Sequence, residues 1–395
     1  MQRADPNREA AMSHPVITPR ATRLAFIDNL RWSAISMVVV MHAAVTYSPF
    51  GSWYVREHPK LGLAGAIAFG TYQSFQHAVS MGLLFGIAGY FAASALARKT
   101  AAAFLRERAF RLGLPLLLYV LVIGPVTQYF IAGSWQKVPG GFAAAWREHL
   151  RDLTLFQDSG PLWFCFVLLL FCVGFTAYRA VRPAQAASAA PPPGLPAVSL
   201  YALAMAAVTF AVGAAVPHDR TILNVDLHDF PQYPLMFAAG TMAYAGAWPL
   251  TVSARAGRWW LAGGLVVSVA LWVGLITLGG ALQHRLAQYG GGWHWQAAGM
   301  DLWRSITCLT LSLGLITLYR DHVNGHGPIA RFLTRNAFGV YVFHAPILIL
   351  TTEVLRHWPL LVALKFALAS IVAIVATFLF VGLVARRVPL LRAIV

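Results

Sequence analysis

The sequence predicts an all-α polytopic membrane bundle of about ten transmembrane helices with both termini in the cytoplasm. Three observations support this. Hydrophobic residues make up 58% of the 395 and charged residues 11%, against roughly 25% charged in an ordinary soluble domain. The apolar residues fall into runs of about 20, the length that crosses a bilayer as a helix. Lys and Arg concentrate in alternate gaps between those runs, as cytoplasmic loops do.

The runs lie at 32–48, 74–97, 110–133, 161–181, 197–216, 232–249, 258–280, 299–319, 336–354 and 360–385. Residues 61–73 are also apolar, and form either an interfacial helix or an extension of the second span. Residues 183–196, rich in Ala, Ser and Pro, read as a flexible linker between two halves. With the N-terminus inside, 20 of the 30 Lys and Arg residues fall in cytoplasmic segments and 8 in outside loops. An odd number of spans would scramble that alternation. The chain therefore divides into a basic cytoplasmic tail (1–31), a transmembrane domain (32–386) and a cytoplasmic C-terminal tail (387–395). The first apolar run lacks a small-residue cleavage signal, so it is expected to be a retained helix.

The net charge of +16 would suggest a nucleic-acid partner in a soluble protein. Here the cations are dispersed among the inter-span gaps, so topology explains them and no nucleic-acid partner is expected. Cys165, Cys172 and Cys308 all lie inside apolar runs. They show neither metal-ligand nor disulfide spacing and read as small core residues.

Polar residues inside spans are costly and therefore informative. Arg31 stands at the mouth of the first span and His42 follows eleven residues later. At ~1.5 Å per residue that is about 16 Å deeper, and about three full turns on, so both side chains share one face. Arg335 and Asn336 open the ninth span, with His344 about 13 Å deeper. Either histidine can instead simply bond a neighbouring helix, and two such histidines could also ligate a haem. Arg106, Arg108 and Arg111 precede the third span. Ordinary topology accounts for Arg98, Lys99 and Arg106, whereas Arg108 and Arg111 share a face and would suit a phosphate-bearing ligand. Trp163, at the start of the fourth span, fits an interfacial anchor. The loop 217–234 holds His218, Asp219, Asp226, His228 and Asp229 without metal-site spacing. Trp293, His294 and Trp295 fit a belt anchor better than a sugar cradle.

Together these motifs resemble the acyltransferase 3 family of integral membrane acyltransferases. Phe26-Ile-Asp28-Asn-Leu-Arg31 through Met41-His42 is similar to its opening motif, a basic residue, ten residues, then His. Arg108 and Arg111 match its Arg-x-x-Arg. Gly160-Pro-Leu-Trp163-Phe164 resembles its Leu-Trp-Phe motif, and Asn336 to Pro346, with Tyr341 and His344, its Tyr-x-x-His-x-Pro segment. The opening motif, and the lack of a fused soluble domain, look most like the group that succinylates periplasmic glucans. Cys165 and Phe166 depart from many relatives, which bears on substrate more than on reaction class.

The resemblance implies transfer of an acyl group from a cytoplasmic acyl-CoA-type donor to a hydroxyl of an extracytoplasmic carbohydrate, glycan or lipid-linked sugar. The protein would then sit in a bacterial inner membrane, among membrane lipid, with acyl-CoA as co-substrate and neither a tightly bound cofactor nor a metal. Arg31, Arg108 and Arg111 would hold the donor phosphates. His42 would be the general base or carry the acyl group, with His344 as its catalytic partner, and Asp28, Trp163, Asn336 and Tyr341 would support them. A transporter or flippase of an acylated or glycosyl substrate also fits ten spans with mid-depth polar groups, but no inverted repeat is visible. A scaffold subunit would leave the Arg31–His42 alignment without a purpose.

Overall fold

Each expected apolar run contains a helix in the computed structural model, which describes residues 24–57, 61–151, 157, 159–182, 191–216, 221–222, 224–392 and 394. The helices are α1 Ala25–Thr46, α2 Leu63–Leu96 and α3 Ala101–Ile131. After a short helix, α4 Gly141–Arg151, come α5 Trp163–Val181 and α6 Leu195–Ala215. The rest are α7 Gln232–Ala245, α8 Ala254–Leu278, α9 Trp295–His322, α10 Pro328–Arg356 and α11 Val362–Leu379. Among the described residues, one antiparallel pair of two-residue strands, Thr221–Ile222 with Val225–Asp226, interrupts an otherwise helical fold.

Among the described residues, eight helices are long and apolar enough to cross a membrane. α7 has only 14 residues, and in α1 the polar groups Asn29, Arg31 and His42 dilute the apolar run. The apolar stretch 61–73 joins α2 as one 34-residue helix, so it extends the second span. Most of the expected linker, 183–190, lies outside the described residues, as does the tail 1–23.

α1 lies at the centre and packs against α2, α9, α10 and α11. It begins earlier than its apolar run because its polar first turns find partners. The Phe26 N–H donates to Asn324 Oδ1 at 3.1 Å, and Asn29 Nδ2 donates to the carbonyls of Val323 (2.7 Å) and Gly325 (3.2 Å). Those partners belong to the connection between α9 and α10. The outer helices carry the lipid-facing surface: Leu200 on α6, Val266 on α8 and Ile371 on α11 are all exposed, as a bilayer permits.

α3 alternates α-helical turns with wider π-helical turns at Ala109–Gly113, Tyr119–Ile123 and Thr127–Ile131. Pro115 and Pro125 each follow such a turn by two residues. A proline has no N–H to give and crowds the carbonyl four residues back, and the wider turn before it makes room.

α2 and α7 pack almost backbone to backbone. A Cβ on Gly240 would run into the Gly86 carbonyl oxygen, and one on Gly89 into that of Phe237; small residues allow such contact between membrane helices. Gly240→Leu is expected to lower the melting temperature of detergent-solubilised protein, with a loss on the order of 1–3 kcal/mol. Gly263→Leu, where nothing lies within 4 Å, serves as the control. Equal melting temperatures for the two variants would show that the close approach is dispensable.

Candidate functional site

Cations far apart in the sequence meet at one end of the bundle. Arg31 of α1, Arg98 and Lys99 after α2, Arg108 and Arg111 of α3, Arg335 of α10 and Arg386 beyond α11 line one cavity of about 630 Å³, with Glu107 the one acidic side chain in its lining among the described residues. Asp28 holds Arg31 from one turn back, Nη2 to Oδ1 at 2.9 Å. Glu107 takes Arg111 at 3.3 Å and also pairs with Lys99. Arg108 lies 5.2 Å from the centroid of the Phe104 ring, and its Nε is buried without a hydrogen-bond partner. Asn336 acts on the cavity through a cation: its Oδ1 accepts from Arg386 Nε at 2.7 Å, while its Nδ2 donates to the Phe332 carbonyl at 2.8 Å. Several guanidiniums converging on one space, with little acidic counter-charge among the described residues, have the chemistry that suits phosphate oxygens.

The inner wall of this cavity is aromatic, formed by Phe164, Phe338 and Tyr341. The Tyr341 hydroxyl donates to the Pro161 carbonyl, which ties α10 to the start of α5. Phe164 meets Tyr341 edge-on at 6.0 Å. Trp163, one residue earlier, packs at 5.3 Å on Tyr233 and 6.3 Å on Phe85. It therefore supports the wall from behind, while Phe164 faces the cavity.

The two histidines lie beyond that wall. Their rings are 5.4 Å apart and within 17° of parallel. His344 is completely buried. Its Nδ1 makes a 2.8 Å hydrogen bond to the Tyr341 carbonyl. A carbonyl can only accept, so Nδ1 carries the proton, and Nε2, buried and unbonded, presents a lone pair in the neutral ring. The indole of Trp53 stacks on His42 at 3.7 Å and 15°, and lies 6.4 Å from His344. A straight pile of three rings would separate Trp53 and His344 much further, so His344 sits beside the stacked pair. On α1, Arg31 and Ile35 line the cavity, and His42 continues that stripe two turns on.

Trp53 belongs to a loop bound down on several sides. Ser48 Oγ bonds Gln73 Oε1 at 3.2 Å, and the Glu57 N–H donates to the Thr46 carbonyl at 2.9 Å. The Tyr54 and Tyr119 hydroxyls meet at 3.0 Å, and the Lys365 ammonium pairs with Glu57.

The structure thus brings His42 together with His344, and Arg31 with Arg108 and Arg111. Sequence reasoning missed Trp53, which sits in a polar loop with no pattern to mark it. It also missed Arg98, Lys99 and Arg386, whose placement topology alone explained. In the loop 217–234, His218 and Asp219 lie outside the described residues. Asp226, His228 and Asp229 join buried side chains: the His228 N–H donates to Asp226 Oδ1 at 2.9 Å, and His228 Nε2 bonds Asp301 Oδ1 at 3.1 Å. Among the described residues no group of His, Cys, Asp and Glu is arranged to hold a metal ion. Trp293 and Trp295 are exposed.

A cation-lined cavity at one end of the bundle, with two adjacent imidazoles beyond its aromatic wall, is the arrangement of reactive side chains that the helices build. The family model for the acyltransferase domain matches residues 24–386, so the chain belongs to the acyltransferase 3 family and is a membrane acyltransferase. No curated protein and no solved structure matches the chain.

Inorganic pyrophosphate is expected to bind the purified protein with an affinity that falls as salt rises. Arg108→Ala with Arg111→Ala should abolish that binding in calorimetric titration. Unchanged binding by the double variant would remove these arginines from the anion site.

Proposed function

We propose that this acyltransferase takes its acyl group from a cytoplasmic acyl-CoA-type donor and passes it to a hydroxyl of an extracytoplasmic carbohydrate or glycan, with succinylation of a glucan as the closest specific case. The observation that carries this is the adjacency of a many-cation cavity to a pair of neighbouring imidazoles, His344 buried and His42 half-buried. In this scheme both termini are cytoplasmic, the 1–31 and 387–395 tails flank the transmembrane domain, and the cavity opens toward the cytoplasm of a bacterial cell. The placement of Lys and Arg supports that orientation.

The donor phosphates bind among Arg31, Arg108 and Arg111, and these cations position rather than react. The pantetheine arm, long and thin, runs inward past Phe164 and Tyr341 and delivers the thioester to His42. His42 takes the proton of the acceptor hydroxyl as the oxygen attacks the thioester carbonyl. A tetrahedral intermediate forms and collapses, the C–S bond breaks, and the proton on His42 passes to the leaving thiolate. The Trp53 indole lies flat against His42, so its π face stabilises the imidazolium formed midway. His344, its tautomer fixed by the Tyr341 carbonyl, offers Nε2 as an acceptor that orients the incoming hydroxyl or His42 itself.

Protein purified in detergent, where no gradient exists, is expected to move label from acyl-CoA to a glucan acceptor, read by mass spectrometry. A transporter would show no covalent transfer. His42→Ala should reduce turnover by 10² or more, the usual scale for a general base; wild-type turnover by a well-folded variant would remove His42 from the chemistry. Arg111→Ala should raise the donor KM by about tenfold, the equivalent of one charge-assisted hydrogen bond, and leave the acceptor KM unchanged.

A further inference from the structure

Outside the cavity and the histidine pair, the most unusual chemistry at membrane depth is a third imidazole. His77 of α2 bonds Asp229 through Nε2 and Oδ2 at 2.6 Å. Asp229 is wholly buried and its other oxygen pairs with Arg304 of α9. Arg304 also lies 3.8 Å from Asp301. The His77 side chain, by contrast, keeps 39% of its surface accessible. A buried carboxylate backed by a guanidinium thus holds an imidazole that is open on its other side. The carboxylate accepts, so Nε2 carries the hydrogen, and in the neutral ring Nδ1 presents a lone pair.

The position of His77 connects it to the reaction path. Gln73, His77, Leu84 and Ala88 follow spacings of four, seven and four, which keeps them within about 60° on one face of α2. Leu84 and Ala88 line the cationic cavity; Gln73 and His77 continue the same face toward the opposite end. Ser48, just past the end of α1, bonds Gln73. Arg31 and Arg98 meet at the other end. α1 and α2 are therefore antiparallel, and His77 is level with the last turn or so of α1, next to His42 in depth. Gln73 is 6% exposed, and its Nε2 is buried without a partner.

We infer that His77 and Gln73 form the acceptor subsite and bind a hydroxyl of a neutral sugar. A hydroxyl both donates and accepts. It would give its hydrogen to His77 Nδ1 and receive one from Gln73 Nε2, one helical turn away. The charge balance selects against an anionic acceptor, because Arg304 is already matched by Asp229 and Asp301. His77 is a positioning residue here, and the inference rests on the acyl-transfer function proposed above.

The test uses full-length protein in lipid nanodiscs and a β-linked glucose hexasaccharide as probe. Saturation-transfer NMR reports binding without donor, and labelled acyl-CoA reports transfer and donor hydrolysis. The expected results are hexasaccharide binding by wild type, at least tenfold weaker binding by His77→Phe, and partial recovery in His77→Gln. In the transfer assay, acceptor KM should rise by about the same factor, with kcat, donor KM and donor hydrolysis within twofold of wild type. Equal binding by wild type and His77→Phe, or no binding by wild type, would overturn the subsite. Either result leaves the acyl-transfer function to be judged by donor turnover. Binding that is lost in His77→Phe, with no covalent transfer by wild type, would support the subsite and count against that function.

Discussion

The rest of the structure follows from one constraint: a helix that carries Arg31 and His42 cannot face lipid. A charge or an imidazole at membrane depth must be enclosed by protein, so α1 is surrounded by α2, α9, α10 and α11. Helices that would be ordinary spans in another order become walls around it. The outer faces of α6, α8 and α11, apolar at Leu200, Val266 and Ile371, are left to meet the bilayer. The histidine pair and the centre of the fold are consequently the same place.

Around α1 several polar groups are oriented by backbone or by a fixed partner, which stiffens the site. The Tyr341 carbonyl sets the His344 tautomer. Asp28 and Asn336 aim Arg31 and Arg386. The loop that lays Trp53 on His42 is fastened to α2, α3 and α11 at separate points. Such preorganisation matters because catalytic groups act only when held close to the reacting geometry. The cationic cavity is different. Arg111 remains two-thirds exposed, as suits groups that must capture a diffusing ligand.

Much of this was legible in the sequence. Run length located the helices, and the spacing of Arg31 and His42 announced a polar face on a buried helix, since that pairing is expensive anywhere else. The adjacency of His42 and His344 followed less directly, from equal depth. Arg304, a lone cation inside an apolar run, was the available sign of the Asp229–His77 network. Trp53 left no sign, because a loop aromatic gains its role only when the loop folds back, and no periodicity encodes that. The length of α2 was ambiguous for a similar reason: residues 61–73 are apolar enough for either a surface helix or a longer span, and only packing against α8, α11 and the loop after α1 decides.

The aromatic wall has an electrical meaning. Phe164, Tyr341, His42 and Trp53 lie packed between the cationic cavity and the far end, and Tyr341 is pinned to Pro161. A constriction of close-packed rings resists wetting, and a pore that stays dry carries no ions. In the function proposed above, such a bundle can pass a small acyl fragment across its midpoint without opening a path for protons and salt. A cell that stores energy as a voltage can hold many copies of such an enzyme without short-circuiting its own membrane.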